Sequence, residues 1–188
     1  SDVYKRQGLA SAKSTLQVGF LDNDYFLVNS NQYWANAVTL KVGFARWDMQ
    51  WPTIAPTRPT NPRDPADPAY FWTASDAFVQ QAAAHGLQDR VMFTLWSSPR
   101  WASKSGKTNQ MPNISDWRGF VAAAATRYSG SYVPPGQTAP LPRVTAWETW
   151  NEPNGSFALM PQKVSGKFVS PANYVKLLNA LKSEVNKA

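Results

Sequence analysis

The sequence has no cysteine and one histidine, His85, among its 188 residues. The first absence excludes disulfides and thiolate zinc sites. A lone histidine cannot by itself make a catalytic triad or a metal cluster, and His85, in the last turn of a helix before Gly86, suits the helix dipole. No cofactor or metal is expected. Long apolar runs are missing too: each is interrupted before the roughly eighteen residues that a membrane span needs, so no membrane partner is expected. The formal net charge is +7, yet its lysines and arginines are scattered from Lys5 to Lys187 with no run longer than two. Nucleic-acid binders carry a clustered patch or stripe, so no nucleic-acid partner is expected.

Aromatic residues and proline are plentiful. With 43% hydrophobic and 13% aromatic residues, the chain reads as globular with a sizeable core rather than disordered, collagen-like or a disulfide scaffold. Nine tryptophans accompany fifteen prolines. Pro52, Pro56, Pro59, Pro62, Pro65 and Pro68 crowd one stretch that cannot be a helix interior or a central strand, because proline lacks the amide donor and fixes its own φ. A long ordered loop is expected there, with Trp51 packing beneath it.

Residues 1–7, SDVYKRQ, match no element and resemble translated adapter sequence, which sets the domain at residues 8–188. Ala10-Ser11-Ala12 fits the end of a secretory signal, so a secreted or extracellular protein is expected. From there short apolar runs alternate with amphipathic stretches. Strands are predicted at Leu16–Phe20, Lys41–Trp47, Val91–Trp96 and Val144–Trp150. Helices are predicted at Asn31–Leu40, from Thr73 to Gly86 with Asp76 in a capping-box-like position, at Ser115–Tyr128 with Ser115 as cap, and from Ser170-Pro171 onward. The last helix shows Tyr174, Leu177, Leu178, Leu181 and Val185 at helical spacing.

Four strand–helix units imply an α/β fold with parallel strands and right-handed crossovers. A doubly wound sheet would normally carry a glycine-rich first turn, but the first strand runs into LDNDYF; Asp22 and Asp24 there suit a turn or a helix start, with contact to a sugar hydroxyl as the alternative. A (β/α)8 TIM barrel needs about 250 residues, so the expected fold is a partial barrel, its first four βα units.

The most specific segment is VTAWETWNEPN, Val144 to Asn154, at the carboxyl end of the fourth strand, where a barrel builds its active site. Alternation puts Glu148, Trp150 and Glu152 on one face, with Glu152 at the rim, which makes Trp150 a candidate substrate-binding residue. Asn113-Ile114-Ser115 and Asn154-Gly155-Ser156 are glycosylation sequons in form only.

The WETWNEPN tip resembles the clan A glycoside hydrolases, in particular the family 39 and family 5 types of (β/α)8 enzyme. The resemblance runs from about Leu16 to the end of the chain and implies that Glu152 is the general acid/base and Asn151 the ligand of the hydroxyl at C2 of the reacting sugar. Arg46, in VGFARWDMQW, resembles the arginine that orients the nucleophilic carboxylate in these enzymes; pairing with a deep acid such as Glu148 is its structural alternative. Trp101, in TLWSSPRWAS, is similar to the Pro-x-Trp loop of the family 39 type and is either a sugar platform or loop packing, whereas Trp96 is expected in the core. Glycoside cleavage needs one carboxylic acid to protonate the leaving oxygen and a second carboxylate about 5 to 5.5 Å away for retention. An apolar, tryptophan-lined strand end would raise the acid's pKa.

The resemblance has a gap. The clan's nucleophile is a glutamate ending the seventh strand, and this chain holds only Glu148, Glu152 and Glu184, of which Glu148 lies deep beside Glu152 and Glu184 on an outer helix. The expectation is a partial retaining glycosidase, acting on a polysaccharide, oligosaccharide or glycoside, whose isolated 188-residue chain is inactive and prone to associate through unpaired strand edges. The alternatives are a non-catalytic carbohydrate-binding barrel and a scaffold barrel with an incidental Asn-Glu-Pro tip; sugar, anomer, cleavage mode and oligomeric state stay open.

Overall fold

The structure, a computed structural model, describes residues 18–188. Residues 1–7, the Ala10-Ser11-Ala12 segment and the beginning of the first predicted strand lie outside the described residues. In chain order the elements are β1 (Gly19–Leu21), α1 (Asn23–Val28), α2 (Ser30–Thr39), β2 (Phe44–Gln50), α3 (Trp51–Ile54), α4 (Thr73–Ala84), β3 (Val91–Trp96), α5 (Ile114–Arg127), β4 (Ala146–Thr149), the two-residue strands β5 (Lys163–Val164) and β6 (Lys167–Phe168), and α6 (Ser170–Val185). Strands β1 to β4 form one parallel sheet in the order β1-β2-β3-β4. Each strand neighbours its predecessor, without the reversal of a doubly wound sheet. No described helix is long and apolar enough to cross a membrane.

Alternation assigns the two faces of the sheet. Trp47 of β2 meets Phe78 of α4 at 4.9 Å, and Phe93 of β3 meets Tyr128, just after α5, also at 4.9 Å. This helix-covered face holds a continuous aromatic core that takes in Trp34, Phe78, Trp117 and Phe120. The residues between them, Arg46, Asp48, Thr94 and Glu148, point to the opposite face, and that parity places polar chemistry on one side of the sheet.

The proline segment is ordered without regular structure because side chains satisfy its backbone. Asp67 accepts from the amides of Asn61 (2.7 Å) and Ala69 (3.0 Å), Tyr70 donates to the Pro62 carbonyl and the Trp72 indole to that of Pro65. Gly119 lets Pro62 lie directly on α5: a Cβ there would stand 2.8 Å from the Pro62 Cβ. Pro52 lies in α3 instead of the loop, where the first turn of a helix needs no amide donor. Trp51 is fully buried, stacked on Phe120 at 5.0 Å.

Several expected boundaries move. Strand β2 begins three residues later than predicted, and the Asp22 carboxylate caps α1, an additional helix, by accepting from the Tyr25 amide. No Thr73–Asp76 capping box forms: Thr73 is already helical, and the Asp76 carboxylate turns inward to Arg127 and Tyr128. Asn113, not Ser115, caps α5, accepting from the amides of Ser115 and Asp116. Gly86, with φ of 79°, ends the α4 region as expected. His85 is structural, its ring 5.5 Å from that of Trp34 and its Nδ1 2.8 Å from the Gln81 carbonyl.

Glu184 of α6 is buried, held by Arg63 of the proline segment, Arg118 of α5 and Lys187. Burial pushes its carboxyl up, but the hydrogen bonds from these three cations outweigh it and hold the group below the ordinary glutamate value. Among the described residues, β1 pairs only with β2 and β4 only with β3. Large apolar side chains are exposed beside both edges: Phe20, Leu21 and Tyr25 near the first, Phe157, Phe168 and Val175 near the second.

Candidate active site

Four side chains from three adjacent strands meet on the helix-free face. Register sets Thr94 of β3 opposite both Asp48 of β2 and Glu148 of β4. Arg46 Nε lies 2.6 Å from Thr94 Oγ1, and Thr94 Oγ1 lies 2.6 Å from Glu148 Oε2. Arg46 Nη2 reaches Glu148 Oε2 at 3.1 Å and Asp48 Oδ1 at 3.3 Å. The same nitrogen donates to Asn151 Oδ1 at 3.0 Å, which ties the tip after β4 to the second strand. Arg46 therefore makes the alternative contact, with Glu148, whose side chain is 40% exposed and not deep, and in addition one with Asn151 that the sequence did not suggest.

Asp48 is the uncomfortable member. Its Oδ1 is buried and within ion-pair distance of Arg46 but lacks a hydrogen bond among the described residues, while its backbone is clamped by Asn23, whose amide donates to the Asp48 carbonyl (2.7 Å) and accepts from its N–H (3.1 Å). Burial pushes the Asp48 carboxyl up; Arg46 pulls it down only in part, and the Glu148 charge adds to the rise. A carboxyl raised in the fold keeps its proton to higher pH than it does in the unfolded chain, so stability is lost as pH rises from the ordinary aspartate value through the raised one. Asp48→Asn is accordingly expected to raise the urea midpoint at neutral pH, with the gain vanishing in acid. A lower midpoint at pH 7 would mean that the charge contributes net stability.

The tip itself departs from strand geometry. Trp150 and Glu152 have φ of 63° and 46°, a region that non-glycine residues rarely adopt. The left-handed turn at Trp150 breaks the alternation expected through Val144–Trp150. Instead of sharing a face with Glu152, the indole turns into the core: it is 1% exposed, donates to the Ala158 carbonyl at 2.9 Å and packs against Trp117 at 5.7 Å. Trp150 is thus corrected from substrate contact to anchor of the tip. Beyond it, Gln162 Nε2 donates to the Pro153 carbonyl at 3.0 Å, and Gln162 Oε1 accepts from Ser170 Oγ at 2.8 Å, which secures the tip to the start of α6. Glu152 is exposed, and its carboxylate has no hydrogen-bond or ion-pair partner among the described residues. The apolar, tryptophan-lined setting expected for it is not formed by this part of the chain.

Trp101 lies in the short turn Arg100–Ala102 after β3. Its indole donates to the Ala55 carbonyl at 2.9 Å, and the Arg58 guanidinium sits 4.7 Å above the ring while donating to the Trp101 carbonyl and pairing with Asp116. This clamp joins the proline segment to the loop after β3 and occupies one ring face. Trp96 is half-buried, its indole nitrogen enclosed without a partner among the described residues.

The fold finds a counterpart among solved structures. The fold is similar to that of a glucosidase from Croceicoccus marinus. That structure aligns over 82% of this chain with a TM-score of 0.58 and 19% sequence identity. The match covers 30% of the glucosidase, so the chain spans less than a third of that protein's length. No family model and no curated protein matches the sequence. The likeness is one of fold: a parallel α/β sheet alternating with helices, as in a glycosidase.

A cavity of about 500 Å³ lies away from the tip, between β1, α1 and α2, lined by Phe20, Leu21, Tyr25, Tyr33 and Leu40. It carries the aromatic and aliphatic surface of the β1 edge and no carboxylate pair, so it has none of the chemistry that gathers around Arg46.

Proposed function

We propose that this chain carries the acid/base portion of a retaining glycoside hydrolase of clan A type, with Glu152 as general acid/base and Asn151 as ligand of the C2 hydroxyl. The substrate class is a polysaccharide, oligosaccharide or glycoside, and the sheet is the first four units of a (β/α)8 barrel. The observation that carries this reading is the tip after β4. It holds Asn151 against Arg46 by its side-chain oxygen while leaving the Glu152 carboxyl exposed and without a partner.

The other two glutamates are engaged elsewhere. Glu148 is engaged by Arg46 and Thr94, and Glu184 by three cations behind the sheet. The nucleophile is therefore proposed to come from a strand beyond the four described. Arg46 fits the role of orienting it: Nε and Nη2 are engaged, while Nη1 has no partner among the described residues and offers two further donors to a carboxylate. Trp101, half-buried between the Arg58 cation and an edge-to-face contact with Trp51 at 5.4 Å, is proposed as the sugar platform through the part of its ring that stays exposed.

The test is stereochemical. In a protein that presents these four units within a complete barrel, the anomeric proton signals of the first sugar released from an aryl glycoside should report retention. Inversion would overturn the mechanism. Sugar binding without turnover would favour the non-catalytic carbohydrate-binding alternative.

A further inference from the structure

The hydrogen bonds around Arg46 have only one possible direction. A guanidinium has donors and no acceptor, so Asn151 must present its oxygen, not its NH2, to Nη2, and Thr94 must accept from Nε. The Thr94 hydroxyl has a single proton, which goes to Glu148 Oε2. Thr94 is fully buried, and with 2.6 Å contacts on both sides it is the wedge that holds the guanidinium plane. Remove the hydroxyl and Nε loses its acceptor. Nη2 can then swing toward the two carboxylates, 3.1 and 3.3 Å away, and release Asn151.

We propose that Thr94 is a positioning residue that fixes the Asn151 amide with its oxygen inward and its NH2 outward, so that position 151 acts as a hydrogen-bond donor to its ligand. The geometric part depends only on the network; the statement that the ligand is a sugar hydroxyl rests on the function proposed above. Because the first part concerns an amide and the second a substrate, they fail separately.

The experiment compares Thr94→Val, which keeps the shape and deletes the hydroxyl, with Thr94→Ser, which keeps the hydroxyl. In the 188-residue chain, the order parameter of the Asn151 side-chain amide is read from ¹⁵N relaxation, the signal being assigned by its loss in Asn151→Asp. The original chain and Thr94→Ser should give a rigid value near about 0.85, and Thr94→Val a value under about 0.6. An equally ordered amide in Thr94→Val would overturn the proposal. So would a loosened amide in Thr94→Ser as well, since loss of packing alone would then suffice. Should Thr94→Val unfold, Thr94→Ala, which also deletes the hydroxyl, is read in its place, with the same two outcomes.

In the complete barrel, Thr94→Val should lower kcat/KM for an ordinary glycoside about tenfold and leave the 2-deoxy analogue unchanged, and it should have no further effect in an Asn151→Ala background. An ordered, Thr94-dependent amide combined with equal losses on both substrates would leave the positioning role standing and overturn the assignment of Asn151 to the C2 hydroxyl.

Discussion

Glu152→Gln, in a complete barrel, is expected to slow cleavage of glycosides with poor leaving groups by about 10²- to 10⁴-fold, the usual contribution of general acid–base catalysis, while sugar binding persists. Glutamine keeps the shape and the hydrogen-bonding reach of glutamate but has no proton to give. Glycosides whose leaving group departs without protonation should therefore lose less in the first step, and the alkaline limb of the pH–rate profile should disappear for poor leaving groups. Azide, which needs no deprotonation to attack, should restore release of the glycosyl intermediate. The structure makes this variant a clean one. The Glu152 carboxylate is exposed and has no partner among the described residues, so its replacement breaks no contact within these four units. Unchanged turnover on a poor leaving group would sink the assignment.

The largest stability effect is expected far from that tip, at Asp76. Its carboxylate receives Arg127 Nε at 2.9 Å and the Tyr128 hydroxyl at 2.9 Å, with Arg127 Nη2 completing a two-pronged pair. The two charged side chains are 12% and 8% exposed, and the guanidinium is packed 5.5 Å from the Trp72 ring. Burial works against the Arg127 charge, but the Asp76 hydrogen bonds and charge win, and the guanidinium is held more firmly protonated than usual. The Tyr128 hydroxyl is pushed well above its ordinary value, by burial first and the Asp76 charge second. Asp76→Ala removes the partner and strands both groups in the core, which costs about 3 to 5 kcal/mol. Replacing Asp76 and Arg127 together by apolar residues of similar volume should cost far less, because no charge is left uncompensated. Urea denaturation of the single and double variants checks both. A single-variant loss under about 1 kcal/mol would mean that water reaches the pair, as it does for a surface salt bridge.

Asp76 also illustrates what the sequence could and could not tell. A Thr followed three residues later by Asp at the start of an apolar periodic stretch is a local capping pattern, and local pattern located helix α4 well. It could not reveal that Arg127, fifty-one residues away, competes for the same carboxylate. Strand β3 was legible to the residue because VMFTLW is a short apolar run bounded by turn residues, and the order of four parallel strands followed from strict alternation with helices. Trp150 was misplaced for a different reason. Period-two counting assumes extended backbone, and β4 ends at Thr149, with Trp150 already in a left-handed turn at φ of 63°. The contact between Arg46 and Asn151, 105 residues apart, had no local signal, although the resemblance singled out both residues separately.

The forced directions of the hydrogen bonds through Arg46 have a consequence for proton traffic. A relay passes a proton only if each link can act as donor and acceptor in turn, and a guanidinium cannot do so. The chain from Asn151 through Arg46 and Thr94 to Glu148 is thus an insulator for protons and a conductor of orientation: it transmits where groups point, not what they carry.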